Sequence, residues 1–220
     1  MNMSQSIQLE DSDGVAVLSL KNGENRFNLP FVRELDAALD GVFTRGAPLV
    51  ITGDGKFFSN GLDLQWIGDN PAEGPLMFQE LHRLYGRLLI APVPTAAAIN
   101  GHAFGAGAML AASCDVRLMR EDRGYFCFPE IDLNLTMTPG MNALCQTKFT
   151  KEALHEGWTT GQRFVGADAK RLGFVHDLAP ETELVRRAAD RLRPSRGKDA
   201  KTLSGLKRQL HEAAAKLLEA

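Results

Sequence analysis

The chain has 220 residues, 44% of them hydrophobic, and a formal charge of -2 from 25 basic and 27 acidic side chains. That length can bury one substantial core, and the near-neutral balance offers no electrostatic footprint for nucleic acid. No apolar run reaches the roughly 20 residues of a membrane span, so no membrane association is expected.

Residues 7–10 and 15–20 read as two short strands around a turn at 11–14. Pro30 opens a helix on which Phe31, Leu35, Ala38, Leu39 and Val42 share a face. Residues 49–52 form a buried strand closed by the turn signal Gly53-Asp54-Gly55. A peptide corner at 57–64 follows, then an amphipathic helix over 75–89 stopped by Pro92 and Pro94. Residues 95–99 are a strand, 99–110 a glycine-rich stretch, 114–119 a strand and 126–135 a mixed extended segment. Helices are predicted near 139–147 and 151–157, then a loop, a short helix and a strand reaching Asp177. Strands alternating with helices indicate an α/β layered fold. Residues 1–180 are expected to form its core, and 181–220 a C-terminal helical region over 182–193 and 198–219. This whole region is rich in Lys and Arg, including Arg186, Arg187, Arg191, Arg193, Arg196, Lys198, Lys201, Lys207 and Arg208. It reads either as solvated helix faces or as an anion-binding edge for a phosphorylated ligand.

Three cysteines, Cys114, Cys127 and Cys145, lack metal-like spacing, and a reducing compartment fits them better than a disulfide framework. The polar start MNMSQSIQLED has no signal-peptide pattern and the end KLLEA matches no common address, so a cytoplasmic location is expected. His82, His155, His176 and His211 show no ligand spacing, and no metal is expected.

The chemistry concentrates in two corners, each a strand running into glycine and then a helix start. One is Phe57-Phe58-Ser59-Asn60-Gly61-Leu62-Asp63-Leu64, the other Ile99 to Leu110 with Gly101, Gly105 and Gly107. The first amides of a helix lack internal partners and favour an anion. Glycine and alanine let a ligand approach the backbone, although tight helix–strand packing also selects them. A dinucleotide fingerprint is excluded because Leu110 takes the third glycine's place, and a P-loop because Val50 takes the first.

Four segments in order resemble the crotonase family (enoyl-CoA hydratase/isomerase). They are Asn25-Arg26-Phe27-Asn28, the corner at 57–64, Ala98 to Gly107, and Phe128-Pro129-Glu130-Ile131. The resemblance implies a ClpP-like spiral of ββα units, a homotrimer or hexamer, and an acyl-CoA substrate with no separate cofactor. It implies that Leu62 N–H and Ala106 N–H hold a thioester carbonyl. It places Arg26, Phe27, Ser59, Asn60, Gly61, Asp63, Gly105 and Met109 against the substrate. Of the two glutamates that hold water in family hydratases, one matches Glu130 and the other falls on Met109, whose thioether cannot orient water strongly.

One carboxylate suffices to move a proton from C2 to C4. The implied reaction is therefore the Δ3,Δ2-enoyl-CoA isomerase reaction, with Glu130 as single proton shuttle. Hydration, thioester hydrolysis, decarboxylation and a non-catalytic acyl-CoA-binding subunit remain alternatives. Asp132 and Asn134 share a face with Glu130 if that segment is extended. His102 is read as structural rather than as an acid or base. Phe104, Met137 and Met141 fit either an acyl tunnel or the core.

Overall fold

A computed structural model describes residues 6–219. Strands β1 (Ile7–Ser12) and β2 (Val15–Leu20) pair as the expected hairpin, with a tighter turn than predicted. Asp13 and Gly14 alone turn the chain, at φ 53° and 74°, the left-handed pair that matches the twist of a hairpin. Helix α1 (Leu29–Arg45) starts at Asn28, whose side chain accepts from Phe31 N–H, and buries Phe31, Val32, Leu35, Leu39 and Val42.

From there a repeated unit sets the architecture: a long strand, a short strand, then helix. Strand β3 (Leu49–Gly53) leads to β4 (Phe57–Ser59), α2 (Leu64–Asp69) and α3 (Gly74–Leu89). Strand β5 (Thr95–Ile99) leads to β6 (His102–Phe104) and α4 (Ala106–Ser113). Strand β7 (Val116–Arg120) leads to β8 (Phe126–Cys127), α5 (Pro139–Lys148), α6 (Lys151–Thr160) and α7 (Gly166–Arg171). The chain closes with β9 (Asp177–Ala179), α8 (Glu181–Leu192), α9 (Ala200–Leu210) and α10 (Glu212–Glu219). The long strands, with the three-residue β9 at one edge, form one sheet in the order β1-β2-β3-β5-β7-β9, parallel beyond the first pair. The short strands stack as a second parallel sheet, β4-β6-β8. This is the spiral of ββα units expected from the sequence.

The second sheet departs from the sequence reading, in which 57–64 and the glycine-rich stretch from Ile99 are peptide corners; Phe57–Ser59 and His102–Phe104 are strands. Residues 126–135 are also not extended as a whole. Only Phe126–Cys127 is strand, Pro129–Ile131 is a 3-10 turn, and Asn134 adopts a left-handed φ of 55°. The helix over 198–219 divides at His211, which pairs with Thr147 Oγ1 at 2.8 Å.

Helix α8 covers one face of the large sheet, packing Leu184, Ala188 and Leu192 on Val15, Val50, Ala96, Ala98 and Leu118. Helices α1, α3 and α4 bury the opposite face. Helix α10 lies on α3 and α5, with Leu218 Cβ only 3.3 Å from where a Cβ at Gly86 would be.

At Lys207 and Arg208 the basic tail does not offer free cations for an anion. Lys207 is buried, donates to the Val93 carbonyl at 2.8 Å and pairs with Asp115 at 2.7 Å. Arg208 pairs with Glu219 at 2.6 Å.

Candidate active site

The segment 25–28 builds the first corner. Phe27 N–H donates to the Gly61 carbonyl at 2.8 Å and Asp63 N–H to the Phe27 carbonyl at 2.9 Å. This one-residue parallel bridge uses the groups on either side of Leu62 and leaves Leu62 N–H facing away from it. Asn25 Nδ2 donates to the Phe57 and Phe58 carbonyls, and Ser59 Oγ to the Asn25 carbonyl at 2.7 Å. Asp63 caps α2 by accepting from Trp66 N–H at 3.1 Å, and also accepts from Asn28 Nδ2 at 3.3 Å.

The second corner turns at Gly105, whose φ of 49° and ψ of -116° suit only glycine. The next residue, Ala106, opens α4, a helix buried along its whole length and lacking any side-chain cap at its start. Neither Leu62 N–H nor Ala106 N–H has a hydrogen-bond acceptor among the described residues.

The glycines let these corners touch backbone to backbone. A Cβ on Gly61 would lie 2.9 Å from the Phe104 carbonyl oxygen and 3.5 Å from Ala106 N. A Cβ on Gly107 would lie 2.5 Å from the Ser59 carbonyl oxygen. Both readings of the small residues therefore hold at once: they permit close packing, and that packing sets two free amides side by side.

Glu130 lies across from this pair. A Cβ on Gly105 would come 3.2 Å from Glu130 Oε1, so a side chain there would crowd the carboxylate. Glu130 Oε2 is buried without a hydrogen-bond partner among the described residues. Burial pushes the carboxyl up to about 7, with its own backbone amide pulling weakly the other way.

A cavity of about 470 Å³ joins these parts, with Arg26, Asn60, Gly61, Leu62, Gly105, Ala106, Met109 and Glu130 on its wall. Met109 is part of this wall and is 1% exposed. Arg26 and Asn60 are joined at the wall through Glu24, which accepts from both. Phe104, Met137 and Met141 also line the cavity, and Met141 belongs to the core at the same time, with Met137 packed against it.

Phe27, Ser59 and Asp63 are not on the cavity wall, contrary to expectation. Phe27 is fully buried in the core, Ser59 spends its hydroxyl on the Asn25 carbonyl, and Asp63 is occupied as a helix cap. They shape the corner from behind. His102 is likewise off the wall, packed among Phe57, Phe104 and Tyr125, and burial lowers its pKa. Asp132 and Asn134 are exposed and do not share Glu130's face.

Several wall residues gave no signal in the sequence, among them Phe78, Thr138 and Arg163, whose guanidinium sits 5.6 Å from the centre of the Phe104 ring. Among the described residues no three His, Cys, Asp or Glu side chains converge as a metal site would require.

A ββα spiral whose two glycine corners face one half-buried carboxylate is the architecture of a crotonase. Residues 10–220 match the enoyl-CoA hydratase/isomerase family model, and the chain belongs to that family. It is 36% identical over 186 residues to the peroxisomal enoyl-CoA delta isomerase 2 of Arabidopsis thaliana, spanning 80% of this chain and 78% of that relative. It is 32% identical over 186 residues to a probable enoyl-CoA hydratase of Rhodobacter capsulatus, spanning 81% and 70%. An apo enoyl-CoA isomerase structure from Mycobacterium tuberculosis aligns with a TM-score of 0.89 at 26% identity, covering 98% of this chain and 95% of that one. Human mitochondrial delta3-delta2-enoyl-CoA isomerase shares the fold with a TM-score of 0.89 at 23% identity, over 96% and 85% of the two chains.

Proposed function

We propose that the protein is a Δ3,Δ2-enoyl-CoA isomerase in which Glu130 is the single proton shuttle. The observation that carries this reading is the acid count. Among the described residues lining the cavity, Glu130 is the sole carboxylate, and Met109 stands where a hydratase would need a second.

In this mechanism Leu62 N–H and Ala106 N–H donate to the thioester carbonyl oxygen. The Glu130 carboxylate removes a proton from C2 of the 3-enoyl chain. The C2–H electron pair becomes the C1–C2 π bond of a dienolate, and the charge collects on the oxygen between the two amides. Fixed donors of this kind act where charge develops and need no reorganisation. Protonated Glu130 then returns the proton to C4. The C3–C4 π electrons take it up, the enolate collapses, and the double bond lies between C2 and C3. A carboxyl near pH 7 suits both halves, since it must first accept and then give up the same proton. Relatives described as delta isomerases support this reading. It extends to a cytoplasmic homotrimer or hexamer with no cofactor beyond the CoA of its substrate.

Glu130→Gln keeps the shape and removes the base. It is expected to bind saturated acyl-CoA normally and to lose isomerisation and C2 proton exchange by about 10² to 10⁴. Near-normal isomerisation by this variant overturns the mechanism, and rapid water addition to 2-enoyl-CoA by the unaltered protein overturns the choice of reaction.

A further inference from the structure

Helix α4 begins without a capping side chain, and its first residue offers only a methyl group for packing. One side chain among the described residues is hydrogen-bonded to that first residue. Tyr85, on α3 and fully buried, donates its hydroxyl to the Ala106 carbonyl at 2.7 Å. As the first residue of an α-helix, Ala106 already has an acceptor role for an amide four residues on, so the tyrosine supplies a second bond. A phenylalanine would fill the same core space without burying a hydroxyl, which costs free energy unless it is used.

The ring packs in the core that also holds Met109 and Met141, and the hydroxyl is within the field of Glu130. Burial holds it firmly protonated, so it stays a donor throughout the working pH range. Gly105 is tied on the other side by its own N–H to the Cys127 carbonyl at 3.0 Å. The peptide carrying Ala106 N–H is thus held between a strand on one side and Tyr85 on the other.

We infer that Tyr85 is a positioning residue for the reaction, fixing the first turn of α4 so that Ala106 N–H stays aimed at the substrate carbonyl. This rests on the proposed role of that amide. Tyr85 touches no substrate atom. Its effect passes through the helix start, and it should be largest where charge builds on the oxygen.

The experiment compares the unaltered protein with Y85F, using the carbonyl stretching frequency of a bound saturated acyl-CoA thioester alongside steady-state kinetics. Binding to the unaltered protein is expected to lower that frequency, because the amides polarise the carbonyl. In Y85F the lowering should shrink, kcat should fall by about 5- to 50-fold, and KM should change little. That loss is smaller than the 10² to 10³ typical when a donor is removed outright. Fluorotyrosine at position 85 retains the hydroxyl and is expected to restore both readouts. Val42→Ala, a core change on α1 remote from the corner, should lower thermal stability without moving the frequency. An unchanged frequency and kcat in Y85F overturns the role of Tyr85 and leaves the amide assignment standing. No lowering in the unaltered protein overturns the amide assignment itself. A Y85F protein that fails to fold, with a fluorotyrosine protein that folds but lacks the frequency shift, also overturns the inference.

Discussion

Glu130 is held in a setting that favours its neutral form, and this has a consequence for stability as well as for rate. An unfolded carboxyl titrates near 4.3, whereas Glu130 in the folded chain is raised to about 7. Between those values the native state holds the extra proton. The contribution of that proton is complete below the lower value and is lost as pH rises through the upper one. Ionised Glu130 therefore destabilises the fold at pH 8, by at most about 4 kcal/mol before the screening of a partly open site is discounted. Denaturant unfolding should find Glu130→Gln more stable than the unaltered protein at pH 8 and equal to it near pH 4. For the same reason kcat/KM should fall as pH drops below about 7, because the base form is lost. Met109→Glu tests the opposite wall. It places a second carboxylate at a position that is 1% exposed, so one of the two acids must stay protonated. Slow water addition to 2-enoyl-CoA, at a rate above that of the unaltered protein, is the expected gain, followed by loss of the enoyl absorbance.

The two glycine corners act as one element, although they lie more than forty residues apart in sequence. Ala106→Pro deletes the amide at a helix position where proline is tolerated. Isomerisation should fall by about 10² to 10³ while circular dichroism stays unchanged. Gly107→Ala tests the contact between the corners, since its Cβ would meet the Ser59 carbonyl oxygen at 2.5 Å. Separating the backbones should cost about 1 to 3 kcal/mol and reduce kcat, measured by thermal unfolding and steady-state rates. The sequence made these corners legible because glycine at such density has few uses outside close approach. It did not make the small sheet legible, because β4, β6 and β8 have three, three and two residues and no period to read. Ser59 and Asp63 resembled ligand contacts, but a short polar side chain beside a helix start is also what a cap or a buried loop bond needs. Tyr85 looked like any apolar position on an amphipathic helix, since only the structure shows where its hydroxyl ends.

At the scale of the whole molecule, the two helices after α8 bind distant parts of the chain together. Lys207 spans the gap from α9 to the Val93 carbonyl before β5 and to Asp115 before β7, both at the edge of the central strands. Asp115 is itself bonded to Thr95 N–H at 2.8 Å, so the three residues lock the start of two adjacent parallel strands. A run of basic residues cannot by itself reveal this, because a buried lysine and a solvated one look the same in sequence. The pairing decides what charge removal does. Lys207→Met leaves the Val93 carbonyl and a partly buried Asp115 without their cation, and should cost about 2 to 4 kcal/mol. Arg208→Gln breaks an exposed pair with Glu219 and should cost less than about 1 kcal/mol. Denaturant titration of both variants checks that order. If the tail instead served CoA phosphates, both variants would weaken CoA binding at low salt and leave stability alone. The expected result is the reverse: unchanged salt dependence of CoA affinity in both, with the stability loss concentrated at Lys207.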